Sequence, residues 1–599
     1  MADKNLKQRS QIDAKFKWDI EAMYPDESQW EKDIESASAQ AEDFAKYSGR
    51  LTESAQTLAE ALKMRDDIWM KLEHAFVYAA MKKDEDNRVD RYQAMDDKCG
   101  SAIAKVSAAM SFFTPQLLEA SEDTILKYIE EEPALKQYEF LLKDVLREKQ
   151  HVLTAAEENI LAQMSEVTGA TNDIFKMLNN ADMTFGTVTD EDGDEVKLTH
   201  GNYINFMESH DREIRKNAFT NMYEAYKQLI NTISTTYNYN TKTDVVSARI
   251  RKYDSARQAA LSGGNIPESV YDNLITVVHE YLPVLHKYIA LRKKVLGVDE
   301  LKMYDIYVPM VKLPKKEIPY DEAIEIMKEG LAPLGEEYVN QLQNGIDERW
   351  IDVYENEGKT SGAYSFGSYS SKPYVLLNYT DTLKDVFTIV HEMGHSMHSW
   401  YTRNNQPYTY GDHSIFTAEV ASTVNESLLI QHLLKEETDP EMKKYLINYY
   451  IEEFRTTLFR QTMFAEFEML THREVENGGV LTAQWLSDTY DKLNTEYFGP
   501  ALSEDEYIKY EWARIPHFYR AFYVYQYATG YSAATAISRK ILTEGEEARD
   551  NYIKFLKSGS SDYPVELLKI AGVDMSSPEP IKLAMETFSA LVDELEKLI

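Results

Sequence analysis

Residues 388–400 read TIVHEMGHSMHSW, and at the centre of that stretch stands His391-Glu392-Met393-Gly394-His395. The apolar residues Val386, Ile389 and Val390 lead into it, as they would on a buried helix. Residues four apart on a helix project from one face, about one turn apart. Both imidazoles can therefore reach a single metal ion from a rigid support. Glu392, next to the first histidine, can contact a water on that ion without becoming a ligand. A Zn²⁺ ion lowers the pKa of such a water from ~16 to ~7, so a carboxylate base can deliver hydroxide to a carbonyl at neutral pH. Gly394 costs a helix about 1 kcal/mol against alanine, and its presence predicts that another chain segment approaches closely there. With 13 histidines in 599 residues the spacing is suggestive, against the plainer reading of a buried helix with two hydrogen-bonded histidines.

Two histidines leave zinc short of ligands, because a catalytic site usually has three protein ligands and an open position. The downstream candidates are His398, His413, Glu419 and Glu426. His398 shares the helical stripe of His391, but seven residues rise ~10 Å, too far for both to bind one ion. It reads instead as a polar residue in a hydrogen-bond network. Glu419 fits better. It falls in the helix-like segment FTAEVASTVNE at 416–426, and a short loop with Gly411 and Asp412 lets that segment turn back over the first. Glu426, seven residues further on, shares a face with Glu419. It is either an acceptor for a ligand imidazole N–H or an acid that only packs between helices.

Away from this centre, helical periodicity runs through residues 58–82, 125–150, 155–178, 213–247 and 267–296. Many amphipathic segments and few strand signals predict a mainly α protein with a small β-sheet. Residues 184–188 and 195–198 flank an Asp-Gly turn and read as a hairpin. The acidic turn is not a calcium loop, since Gly201 occupies the twelfth position where a glutamate belongs. Residues 373–378 read as a second strand, either an edge strand beside a cleft to which an extended peptide could pair, with 361–364 continuing that surface, or ordinary sheet structure. We place one domain boundary near residue 200, giving a helical domain over 1–200 that ends in the hairpin and a catalytic domain over 201–599. In the C-terminal block at 517–534, Tyr523, Tyr527 and Tyr531 recur every four residues, as one helical stripe would.

The formal net charge of −35, from 65 basic and 100 acidic side chains, argues against nucleic acid or an anionic membrane as partner. Cys99 is the single cysteine, so no intrachain disulfide forms. No apolar leader opens the sequence, and no run reaches the ~18 apolar residues of a membrane span. A cytoplasmic location is expected.

On HEMGHSMH at 391–398, FTAEVASTVNE at 416–426 and HFYRAFYVYQYATGYSAA at 517–534, the sequence resembles oligoendopeptidase F in the thimet oligopeptidase family of zinc peptidases. The resemblance covers roughly 200–585 strongly. It implies a mostly helical zincin-type fold with a deep channel whose narrow mouth admits short peptides. It implies one Zn²⁺ per chain on His391, His395 and Glu419, with Glu392 as general base in a metalloendopeptidase. It also implies that His517, Tyr523 and Tyr531 stabilise the tetrahedral intermediate. Small insertions leave Tyr527 as an alternative for one of the tyrosines. Rival readings are a zinc carboxypeptidase of similar fold, a non-catalytic peptide-binding protein and a helical scaffold with an accidental motif.

Overall fold

The computed structural model describes residues 6–311 and 316–599. Helices form where apolar residues recur at three and four, and they begin where a capping side chain stands. Asp26 accepts from the N–H of Ser28 and Ser54 from that of Thr57, while Thr154 and Glu157 close a reciprocal capping box. The result is the expected mainly α protein, with strands confined to two small sheets among the described residues. None of the described helices is long and apolar enough to cross a membrane.

Contacts divide the chain into two compact units. The first comprises Met1–Gln150, Lys316–His432 and Ile537–Val573; the second comprises His151–Lys315, Leu433–Ala536 and Asp574–Ile599. This partition differs from a single boundary near residue 200. The chain re-enters the first unit twice, and such long-range returns leave no mark in local composition.

In the first unit the helices Glu27–Phe44, Ala55–Glu85 and Asp90–Met110 share a core that includes Trp30, Ile34, Phe44, Leu62, Leu72 and Val106. Each such side chain contributes roughly 1.5–3 kcal/mol by leaving water. The periodic segment 125–150 is not one helix. It breaks into Glu122–Glu131, a 3-10 turn at Pro133–Tyr138 and Glu139–Arg147, because Pro133 lacks an N–H and disfavours helical geometry at Glu132. In the second unit, segment 213–247 likewise splits at Leu229 into Arg212–Gln228 and Ile230–Ile250. Further helices follow at Glu268–Leu296, Pro440–Glu453 and Arg460–Glu476. Between them Glu452 is held by Arg292 and Arg455, each 2.6 Å away.

The hairpin is present as β1 (Thr187–Thr189) and β2 (Glu195–Lys197), with Val188 opposite Val196. The other sheet belongs to the first unit. It contains β3 (Ile351–Asp352), β4 (Tyr364–Phe366) and β5 (Tyr374–Leu376) in the order β3-β5-β4. Residues 373–378 thus do not supply the edge. β5 is central, parallel to β3 and antiparallel to β4, with Val375 opposite both Ile351 and Ser365. The edge strands are β3 and β4. On the first of these edges, Asp352 of β3 binds Arg9 at 2.7 Å and Lys359 at 2.7 Å, and Arg9 also reaches Glu85 at 2.6 Å. These ion pairs fasten the N-terminal segment, the helix Ala55–Glu85 and the sheet together.

Candidate metal centre

The motif lies on the helix Leu383–Asn405, which opens with a capping box. Thr382 Oγ1 accepts from the N–H of Asp385 at 3.2 Å, and the Asp385 carboxylate accepts from that of Thr382 at 3.0 Å. Val386, Ile389, Val390, Met393 and Met397 are fully buried and fix the rotation of the helix. His391 and His395 then project together, as their spacing requires.

A second helix, Ile415–Glu436, packs across the first at Gly394. A Cβ on Gly394 would lie 2.6 Å from Ser422 Cα and 2.9 Å from the Ala421 carbonyl oxygen. The close approach expected at this glycine is present, and the segment that makes it carries Glu419. His391 Nε2 and His395 Nε2 are 3.2 Å apart, and Glu419 Oε2 lies 3.6 Å from the first and 3.7 Å from the second. The carboxylate separations are too long for hydrogen bonds. They exceed by about 0.2–0.4 Å the edges of a tetrahedral zinc site, which are about 3.3–3.4 Å for bonds of about 2.0–2.1 Å, while the separation of the two imidazole nitrogens lies close to such an edge. Among the described residues, this is the one cluster of three potential metal-binding side chains.

Glu426 Oε1 lies 3.3 Å from His391 Nδ1, the ring nitrogen facing away from the triangle. It can accept the Nδ1–H and keep Nε2 free as a donor atom for a cation. Burial opposes a proton on His391, but the carboxylates of Glu426, Glu392 and Glu419 outweigh it and raise that imidazole to about 9. Burial, together with the neighbouring His391, pushes His395 down to about 3. The pair therefore shares one proton, which an incoming cation must displace.

Glu392 is buried, at 8% exposure. Burial pushes its carboxyl up to about 7 against the pull of His391. Its carboxylate accepts from the backbone N–H of Ser365 in β4, and the Ser365 hydroxyl meets that of Ser396 at 2.8 Å. Ser365 is a contact that the sequence did not reveal; the strand pairing that places it spans residues far from the motif. His398 is not part of the triangle and is not in a hydrogen-bond network either. Its ring stacks on His413 at 4.1 Å and packs against Phe555, and its Nδ1 has no hydrogen-bond partner.

The C-terminal block lies in the second unit. His517 sits on the 3-10 turn Pro516–Tyr519, and the following helix begins only at Tyr525. Tyr523 thus precedes the helix rather than joining a three-tyrosine stripe, because Phe522 adopts a left-handed φ of 52°. The rings of His517 and Tyr523 are parallel, with centroids 6.0 Å apart, and Arg520 lies over the Tyr523 ring. Tyr527 stands edge-on to both, its hydroxyl 3.4 Å from that of Tyr523. Burial and Arg520 both lower the His517 pKa. Tyr531 is 7% exposed and packs edge-on against Phe454. The structure thus gathers His517, Tyr523 and Tyr527 and sets Tyr531 one turn further on.

Comparison with known proteins agrees along the whole chain. Residues 205–587 match the family model described as Peptidase family M3, and residues 116–185 match that described as Oligopeptidase F. Oligopeptidase PepF of Bacillus subtilis is 48% identical over 594 residues, covering 99% of this chain and 89% of that protein. Group B oligopeptidase PepB of Streptococcus agalactiae is 44% identical, covering 99% of this chain and 98% of that one. The crystal structure of oligoendopeptidase-F from Enterococcus faecium superposes with a TM-score of 0.75 at 40% identity, covering 96% of this chain and 99% of its own. Two imidazoles and a carboxylate that could hold a metal ion stand beside a buried glutamate in a chain that matches these proteins over nearly its whole length: the chain belongs to peptidase family M3 and is a metalloendopeptidase of the oligopeptidase F kind.

Proposed function

We propose that the chain hydrolyses internal bonds of short peptides, using one zinc ion on His391, His395 and Glu419 and Glu392 as general base. The observation that carries this reading is the triangle of 3.2, 3.6 and 3.7 Å with Glu392 buried beside it. Two neutral imidazoles and one carboxylate are a ligand set that suits zinc, and three protein ligands leave a position open. Bound there, zinc supplies Lewis acidity that brings a water's pKa to about 7 and polarises a carbonyl. Glu392 takes the proton of the attacking water at its carboxylate and passes it to the departing amine. Glu426 orients His391 through Nδ1. His517 and Tyr523, with Tyr531 or Tyr527, donate hydrogen bonds to the oxyanion, a contribution of several kcal/mol from such groups in a dry site.

The test uses an internally quenched peptide with both ends blocked, before and after chelation and zinc restoration. Metal content is measured in parallel. Glu392→Gln should retain one zinc per chain and lose about 10²–10⁴-fold in kcat. Full activity of metal-replete Glu392→Gln would remove Glu392 as base. A requirement for a free C-terminus would move the reading to a carboxypeptidase.

A further inference from the structure

Among the described residues, Phe522 is the buried member of the non-glycine residues with positive φ. A left-handed conformation at a bulky residue is strained, and it persists only where its surroundings over-determine it. Here they do. The Phe522 N–H donates to Glu468 Oε1 at 2.7 Å, and its ring packs on His472 at 4.5 Å and on Tyr271 at 5.7 Å. Glu468 itself has no solvent exposure, and its Oε2 has no hydrogen-bond partner.

That is an expensive way to fill a core position. A buried carboxyl with one unpaired oxygen costs kilocalories that leucine or methionine would not. The hydrogen bond its side chain makes is to the strained turn, and the residue after that turn is Tyr523. Burial pushes the Glu468 carboxyl up, with His472 opposing. Neither zinc ligation nor proton transfer uses it.

We propose that Glu468 is a positioning residue for the oxyanion-stabilising cluster: by capturing the Phe522 N–H it locks the left-handed turn that delays the helix to Tyr525 and presents the Tyr523 hydroxyl beside His517 and Tyr527. This rests on the reading that Tyr523 assists the reaction. Only an acceptor at the Oε1 position is required, so the amide of Glu468→Gln replaces it. Glu468→Leu removes the acceptor, and Glu468→Asp withdraws it by one methylene while keeping the acid.

The experiment compares kcat and KM for a blocked quenched peptide across Glu468→Gln, Glu468→Asp, Glu468→Leu and Tyr523→Phe, and in the Tyr523→Phe/Glu468→Asp double variant. Zinc content and thermal unfolding are recorded for each. Glu468→Gln should keep wild-type kcat. Glu468→Asp and Glu468→Leu should lose about 10- to 100-fold in kcat, the scale of a misplaced group, with KM and zinc content unchanged. In the Tyr523→Phe background the aspartate should cost nothing further. If Glu468→Leu does not fold, the aspartate and glutamine pair decides. Wild-type kcat in Glu468→Asp, with Tyr523→Phe impaired, overturns the positioning role alone. Loss in Glu468→Gln equal to that in Glu468→Asp overturns the acceptor role. Wild-type kcat in Tyr523→Phe overturns the reading beneath both.

Discussion

Replacing Gly394 by alanine adds a single methyl group at the point where the helix of His391 and His395 touches the helix of Glu419. Non-bonded carbon atoms settle at about 3.5–4.0 Å, whereas the new Cβ would stand 2.6 Å from Ser422 Cα and 2.9 Å from the Ala421 oxygen. Both are backbone atoms, so no side chain can rotate away. Relief requires the helix Ile415–Glu436 to retreat by about 1 Å, and Glu419 lies one turn before Ser422. Metal ligands tolerate displacements of about 0.2 Å, so the triangle opens. Stability changes little by comparison: overpacking costs about 1–3 kcal/mol, and alanine returns about 1 kcal/mol of helix propensity. Metal affinity should fall by at least the 10–100-fold seen when supporting residues of metal sites are lost. Competition against a chelator of known affinity reads the metal term, and unfolding of the metal-free protein reads the stability term. Wild-type metal affinity in Gly394→Ala would refute the argument, because it would mean that the helices yield without moving Glu419.

Two further outcomes are expected. Glu426→Leu should weaken metal binding about 10–100-fold while leaving the fold intact, measured by the same chelator competition; unchanged affinity would leave Glu426 as an interhelical packing residue. Burial disfavours the Glu452 carboxylate, yet Arg455 and Arg292 hold it down to about 2, below its ordinary 4.5. A depressed carboxyl stabilises the fold fully above the unfolded value and less as pH falls through the folded one. Urea unfolding followed from pH 5 to 2.5 should therefore show a loss of stability that Glu452→Gln lacks; identical slopes in the two proteins would refute the assignment.

What could be read from sequence was what helix geometry makes local. Four-residue spacing places His391 and His395 on one face whatever surrounds them, and a glycine inside a strong helical pattern announces a close neighbour. Glu419 followed because ligand number demanded a third donor and a short loop could return the chain. The strands were less legible. The apolar run Tyr374–Leu376 belongs to a strand covered on both sides, as continuous apolar strands are, and nothing local told a central strand from an edge one. Ser365 reaches Glu392 only through that pairing. Phe522 carries no signal at all, since its left-handed turn is imposed by Glu468, more than fifty residues earlier, and the tyrosine spacing after it read as unbroken helix. The division into units was hidden for the same reason: proximity between residues 9 and 352 is a property of the folded core.

The first unit has a temporal consequence. Its N-terminal helices hold a core of their own, from Tyr24 to Leu146, and can condense early in synthesis. The contacts of Trp18 and Val77 with Tyr374 and Leu376 must wait for the sheet, and the unit is complete only at Val573. At about 5–20 residues per second that interval is on the order of 20–90 s. The unit that carries His391, His395 and Glu419 thus cannot close until Val573 has been made, long after its N-terminal helices have formed.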